Sequence, residues 1–195
     1  MSKRKRLDEL NRYWQENCKC GLRKTATRAV FGDGNPESEI VFVGEAPGKK
    51  EDELGIPFVG SAGKFLAEML SVIGIKREDI YITNIVKYRP PDNRDPSPEE
   101  KGACNEWLIN ELKIISPRLI IFLGRHSMTR FFPTEKISEL HVRLLIKNTD
   151  ELGRQAFMPL YHPAAALYNG GMRETLIKDF KNIPLALEKI GHSLK

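Results

Sequence analysis

The sequence predicts an α/β protein: a three-layer α/β/α sandwich with a mostly parallel central sheet. Two observations carry this. Short apolar runs of strand length recur at 40–43 (IVFV), 80–86 (IYITNIV) and 119–123 (LIIFL), and between them apolar residues return at helical spacing. Strands that alternate with helices make crossover connections, which build a parallel sheet covered on both faces. At 195 residues the chain suits one well-cored domain, expected over 1–195.

In chain order, residues 1–9 read as a flexible basic tail carrying KRKR at 3–6. Residues 7–16 read as a short helix with Leu7, Leu10 and Trp14 on one face, followed by a basic link and a turn cluster at 32–36 (GDGNP). The strand at 40–43 runs into a Gly- and Pro-broken loop at 44–63, and a helix begins at about Ala62, with Phe65, Leu66, Met69, Leu70 and Ile73 inward. The strand at 80–86 enters a Pro-rich loop at 89–98. Ser97, Pro98 and Glu100 then form a helix start: a cap, a first-turn proline and the acid of a capping box. Cys104, Trp107, Leu108, Leu112 and Ile115 give that helix its core face. After the strand at 119–123 come a short helix at 125–132 and a strand–turn–strand over 141–161 with its turn at 148–153. Leu176, Phe180, Ile183, Leu187 and Ile190 mark a last helix that Pro184 should kink or split.

Composition excludes several classes. With 41% hydrophobic and 29% charged residues the chain is ordinary for a soluble globular protein. No apolar run approaches a membrane span, and the charged N-terminus lacks the apolar stretch of a secretory signal, so a cytoplasmic protein without a membrane partner is expected. Three cysteines in such a chain argue against a disulfide framework. A net charge of +5 suits a polyanionic partner without establishing one.

The loop at 44–63, GEAPGKKEDELGIPFVGSAG, is where chemistry is expected, because loops at the carboxyl ends of parallel strands bind ligands. It is not a phosphate-binding P-loop. Gly44 to Lys49 is one residue short, Lys50 stands where Ser or Thr should follow, and Pro47 removes an amide. The segments GEAPG (44–48) with GIPFVG (55–60) and Gly63, then NIVKYRPP (84–91), then YHPAAAL (161–167), together resemble the three motif regions of the family 4 uracil-DNA glycosylases, in that family's order. The resemblance covers the chain from about Cys20 to the C-terminal helix. It implies the glycosylase three-layer fold, a monomer, and a DNA substrate from which uracil is flipped and hydrolysed off its sugar, leaving an abasic site for base excision repair.

By that resemblance His162 donates to uracil O2, and Pro163 keeps it out of the following helix. Asn84 reads the uracil edge, since its amide offers both a donor and an acceptor. Phe58 stacks on the base from an exposed, fixed loop position. The Glu45–Ala46 backbone cradles the uracil edge, Glu45 helps position the attacking water, and Glu51 crowds C5 so that thymine is excluded. Ser61, Gly63 and Lys64 open a helix toward DNA phosphate, and Leu167 or Tyr168 supplies a wedge. His126 and His141 read as surface or structural.

The family holds a four-iron, four-sulfur cluster on four cysteines. Here Cys20 and Cys104 match two ligand positions, Cys18 is displaced by one residue from the Asn17 position, and Tyr88 stands at the other. A four-thiolate cluster is therefore excluded in one chain, and an altered or empty site on Cys18, Cys20 and Cys104 is expected. The loop at 89–97 contains no His, so the covalent product trapping of a related branch is not expected. Two rival functions remain at this stage: a DNA-binding damage sensor without activity, and a glycosylase for another deaminated base such as hypoxanthine.

Overall fold

A computed structural model describes residues 1–193. Its helices are α1 (Lys3–Asn17), α2 (Lys49–Leu54), α3 (Ser61–Val72), α4 (Pro98–Ile115), α5 (Arg125–Met128), α6 (Ile137–Leu140), α7 (Ala165–Tyr168), α8 (Met172–Phe180) and α9 (Asn182–Ser193). Its strands are β1 (Asp33–Gly34), β2 (Ile40–Gly44), β3 (Tyr81–Asn84), β4 (Leu119–Leu123), β5 (Leu145–Thr149) and β6 (Gly153–Leu160). They form one sheet in the order β1-β3-β2-β4-β6-β5. The four inner strands run parallel, and β1 and β5 close the edges antiparallel. The expected three-layer architecture is what forms.

The strand period of two assigns the layers. Val41 and Val43 face a core built with Leu7 of α1 and Trp107, Leu108 and Leu112 of α4. Ile40 and Phe42 face the opposite core, built with Leu66 and Met69 of α3, Phe180 of α8 and Ile183 of α9. Helix α4 starts on its capping box: Ser97 Oγ accepts from Glu100 N at 3.3 Å and the Glu100 carboxylate accepts from Ser97 N at 2.8 Å. The C-terminal helix is split just ahead of Pro184, which sits in the first turn of α9 where an amide has no helical partner anyway.

Some expectations need correction. Residues 1–9 are not a flexible tail, because α1 begins at Lys3 behind a Ser2 cap. Leu7 is fully buried, Lys3 Nζ donates to Ile115 O at 2.7 Å, and Asn11 accepts from Trp107 Nε1 at 2.9 Å. Those long-range anchors were invisible in a run of four basic residues. The 44–63 loop contains α2, stopped at Gly55, whose φ of 77° suits glycine. Helix α5 ends at Met128, four residues before the expected Phe132.

Candidate active site

The chain passes from β2 to β3 on one side, then returns to β4 on the other side of β2. The strand order therefore reverses at β2, and a crevice opens outside the carboxyl ends of the strands. A cavity of ≈ 360 Å³ lies there, and Glu45, Ala46, Glu51, Phe58, Asn84 and His162 all line it. Segments far apart in sequence meet because each follows or ends a neighbouring parallel strand.

Asn84 ends β3 opposite Gly44 of β2. It is 2% exposed, and its Oδ1 is buried without a hydrogen-bond partner among the described residues. A Cβ at Gly44 would stand 2.4 Å from that oxygen and 2.6 Å from the Phe58 ring, so only glycine lets both approach.

Phe58 has φ of 53°, left-handed backbone that an aromatic residue seldom adopts. Several contacts impose it. Arg77 donates to the Phe58 carbonyl at 3.1 Å and also to that of Pro57. Glu51 Oε1 accepts from Val59 N at 3.0 Å and Gly60 N at 2.8 Å. A Cβ at Gly63 would fall 1.8 Å from Phe58 O, so α3 approaches the loop only through a glycine. Phe58 is therefore not exposed as expected but 7% exposed, its ring 5.6 Å from that of His162 across the cavity wall.

His162 follows β6. Its Nδ1 accepts from Ala164 N at 3.1 Å, which puts the proton of the neutral ring on Nε2. Burial pushes its pKa down to about 4, against a smaller upward pull from Glu51. At neutral pH the ring is an uncharged N–H donor. Gly124, at φ 96°, lets the end of β4 pass beside it; a Cβ there would lie 3.2 Å from His162 Cβ.

Glu45 is the first residue after β2. Burial, with Asp95 adding to it, raises its carboxyl to about 7. Its Oε1 is buried and unpartnered among the described residues. Asp95 and Arg94 also line the cavity. His126, read from sequence as surface or structural, lies 3.8 Å from Glu45. Nothing local in the sequence marks these three, and only the strand order places the ends of β2 and β4 side by side. His141 does serve structure: it pairs with Asp179 at 2.7 Å and packs its ring, tilted, on that of Tyr161 at 4.3 Å.

Around the rim, Ser61 and Lys64 are exposed in the first turn of α3 while Gly63 is buried beneath Phe58. Leu167 and Tyr168 project at 52% and 92% exposure.

A family model described as the uracil DNA glycosylase superfamily matches residues 31–184. The type-4 uracil-DNA glycosylase of Archaeoglobus fulgidus is 46% identical, over 91% of this chain and 91% of its own. That of Thermotoga maritima is 41% identical over 88% of this chain and 90% of its own. The chain belongs to the uracil DNA glycosylase superfamily, in its type-4 group. A type-5 enzyme of Thermus thermophilus is 35% identical over 50% of this chain.

The type-4 group implies a four-iron cluster, and the residues present do not fit one. Cys18, Cys20 and Cys104 are buried in a single core, where the Cys18 thiol donates to Ala103 O at 3.6 Å and that of Cys20 to Glu100 O at 3.8 Å. The fourth position is the Tyr88 phenol, buried and raised to about 12 by burial first and the nearby Cys18 next. Three cysteines and a protonated phenol cannot supply the four thiolates such a cluster takes. In the same core Trp107 packs against Trp14, Phe31 and Tyr88.

Proposed function

We propose that this chain is a uracil-DNA glycosylase that flips uracil out of DNA and hydrolyses its N-glycosidic bond. The observation that carries the reading is a convergence in one base-sized cavity. Asn84, whose Oδ1 has no partner among the described residues, and the neutral His162 line the same space, beside Phe58. A uracil stacked on Phe58 offers N3–H to Asn84 Oδ1 and accepts at O4 from the Asn84 amide. His162 Nε2–H donates to O2.

The bond between C1′ of the sugar and N1 of the base breaks with its electron pair leaving on uracil. A neutral imidazole donor stabilises that anion without first giving up a proton. Water adds at C1′ and Glu45, as carboxylate, takes its proton. Glu51 is held rigid by the two loop amides it accepts from, which suits a wall against the C5 methyl of thymine. Ser61, Lys64 and the amides of the first turn of α3 hold phosphate, and Leu167 or Tyr168 fills the gap left by the flipped base. The protein works as a cytoplasmic monomer on uracil-containing DNA, and no step passes through an iron–sulfur cluster. Among the described residues no helix is long and apolar enough to cross a membrane.

Oligonucleotides carrying a single uracil, hypoxanthine or thymine test this. Alkali-labile abasic sites should form from uracil, and thymine should stay intact. Binding without cleavage would make the protein a damage sensor, and faster hypoxanthine release would reassign its substrate.

A further inference from the structure

Three separate segments meet beside Glu45. His126, in α5 after β4, places Nδ1 3.8 Å from the buried, unpartnered Glu45 Oε1. Its Nε2 lies 3.1 Å from Asp95 Oδ2 of the β3–α4 loop and 3.0 Å from Arg125 Nε. The ligating atoms of Glu45, Asp95 and His126 all fall within 4.8 Å of one another. Nε2 has two neighbours of opposite kind: Arg125 can only donate to it, and the Asp95 carboxylate can only accept from it. Arg125 is the one that meets hydrogen-bond geometry, which makes Nε2 the acceptor, while Asp95 is an ion-pair contact. The single proton of a neutral ring then sits on Nδ1, the atom that faces Glu45. Arg125 also reaches Asp95 at 3.7 Å, so the two hold one another beside the ring.

We propose that His126 is a positioning residue for Glu45: its Nδ1–H holds Glu45 through Oε1 and leaves Oε2 for the attacking water, with the Arg125 donor at Nε2 fixing the tautomer. This rests on the glycosylase reading above. A separation of 3.8 Å is too long for a hydrogen bond, and catalytic contacts of this kind tighten when substrate fills the site. The surroundings favour the neutral ring. Burial lowers the affinity of His126 for a second proton, and Lys101 and Arg125 face it with positive charge, against Asp95. Arg130 lines the small cavity on its far side. The same Lys101 and Arg125 face Glu45, where they oppose the upward push of burial and Asp95. A neutral donor at Oε1 works with them to keep Glu45 ionised near neutral pH.

The test is single-turnover excision from a uracil-containing single-stranded oligonucleotide as a function of pH. His126→Phe keeps a half-buried ring and removes the donor. Its acidic limb should move up by about one to two pH units, while the rate far above that limb returns toward wild type. His126→Asn, which restores an N–H near the Nδ1 position, should bring the limb back. Asp95→Asn removes a charge that raises Glu45 and should move the limb down. A His126→Phe profile that is scaled down with its midpoint unchanged would mean a merely structural role and overturns the proposal. Nitrogen NMR of ¹⁵N-histidine wild-type protein, assigned with His126→Asn, gives a second readout that needs no ring substitute to fold. It should show His126 protonated on Nδ1, and the opposite tautomer also overturns the proposal. Glu45→Gln separates the two levels. If it excises at the wild-type rate, the role of Glu45 itself fails. If it is slow while His126→Phe keeps the wild-type profile, the positioning role alone fails.

Discussion

Glu111 is fully buried and Glu45 half-buried, and the molecule treats them in opposite ways. Glu111, in the middle of α4, is fully buried and fully used. It accepts from Tyr81 at 2.9 Å, Thr83 at 2.8 Å and Lys87 at 2.6 Å, and the Lys87 side chain is as buried as its own. Glu45, at the carboxyl end of β2, keeps one buried oxygen with no partner among the described residues, and its carboxyl rises to about 7. A buried carboxylate whose acceptors are filled locks elements together. One left short of donors holds free energy in reserve for a ligand or a proton. Asn84 belongs with Glu45 in this respect: it lines the cavity, and its buried Oδ1 has no partner among the described residues. Tyr88 is the instructive third case: its hydroxyl, without a partner among the described residues, lies in the same packed core as the cysteines.

The largest effect expected from breaking this contrast is on the locked side. Lys87→Met leaves the Glu111 charge buried and uncompensated. Removing one partner of such a pair typically costs about 3–5 kcal/mol, read as a lower denaturant midpoint at unchanged slope. Excision per folded molecule should hold, because Glu111 lines no part of the cavity.

The open side should respond in the other currency. His162→Ala removes the preorganised donor to the leaving base, and single-turnover excision should fall by about 10²–10³. Affinity for an abasic-site duplex should change little, since phosphate contacts dominate binding. Asn84→Ala should slow excision as well, and the double variant should fall short of the product of the two effects, because both residues touch one base. Wild-type excision by His162→Ala would remove the residue from the mechanism.

How much of this contrast could be read from sequence depends on how local its signals are. The inner strands were legible because each is a short apolar run, and α4 because its capping box and first-turn proline sit side by side. The cavity residues Glu45, Phe58, Asn84 and His162 were found through motif order, and the parallel register of β2 and β3 explains why Gly44 and Asn84 meet. The Lys87–Glu111 pair was missed. Lys87 sits inside a matched motif and Glu111 on a helix, and no pattern announces that two charged residues 24 apart in sequence are both buried. His126 was missed for a related reason, because its setting depends on β4 returning beside β2. The exposed position expected for Phe58 failed on Gly63, whose missing Cβ lets the loop settle onto α3.

The smallest effect expected lies on the seam between the two regions. The segment that carries Arg94 and Asp95 to the cavity runs directly into α4, which carries Glu111, and Ser97 is the joint. Ser97 Oγ accepts from Glu100 N while Glu100 returns a bond to Ser97 N. Glu100 also holds Arg94 at the cavity side, with Arg94 Nη1 donating at 2.8 Å. Ser97→Ala removes the cap oxygen but leaves the Glu100 carboxylate on both Ser97 N and Arg94. Loss of such a cap costs about 1 kcal/mol, which should appear as a modest drop in the denaturant midpoint. Saturating single-turnover excision should stay within about twofold, because the groups facing the base come from β2, β3 and the segment after β6. If excision instead falls tenfold while stability barely moves, α4 is not a passive anchor. The alignment of Asp95 beside His126 and Glu45 would then depend on where that helix begins.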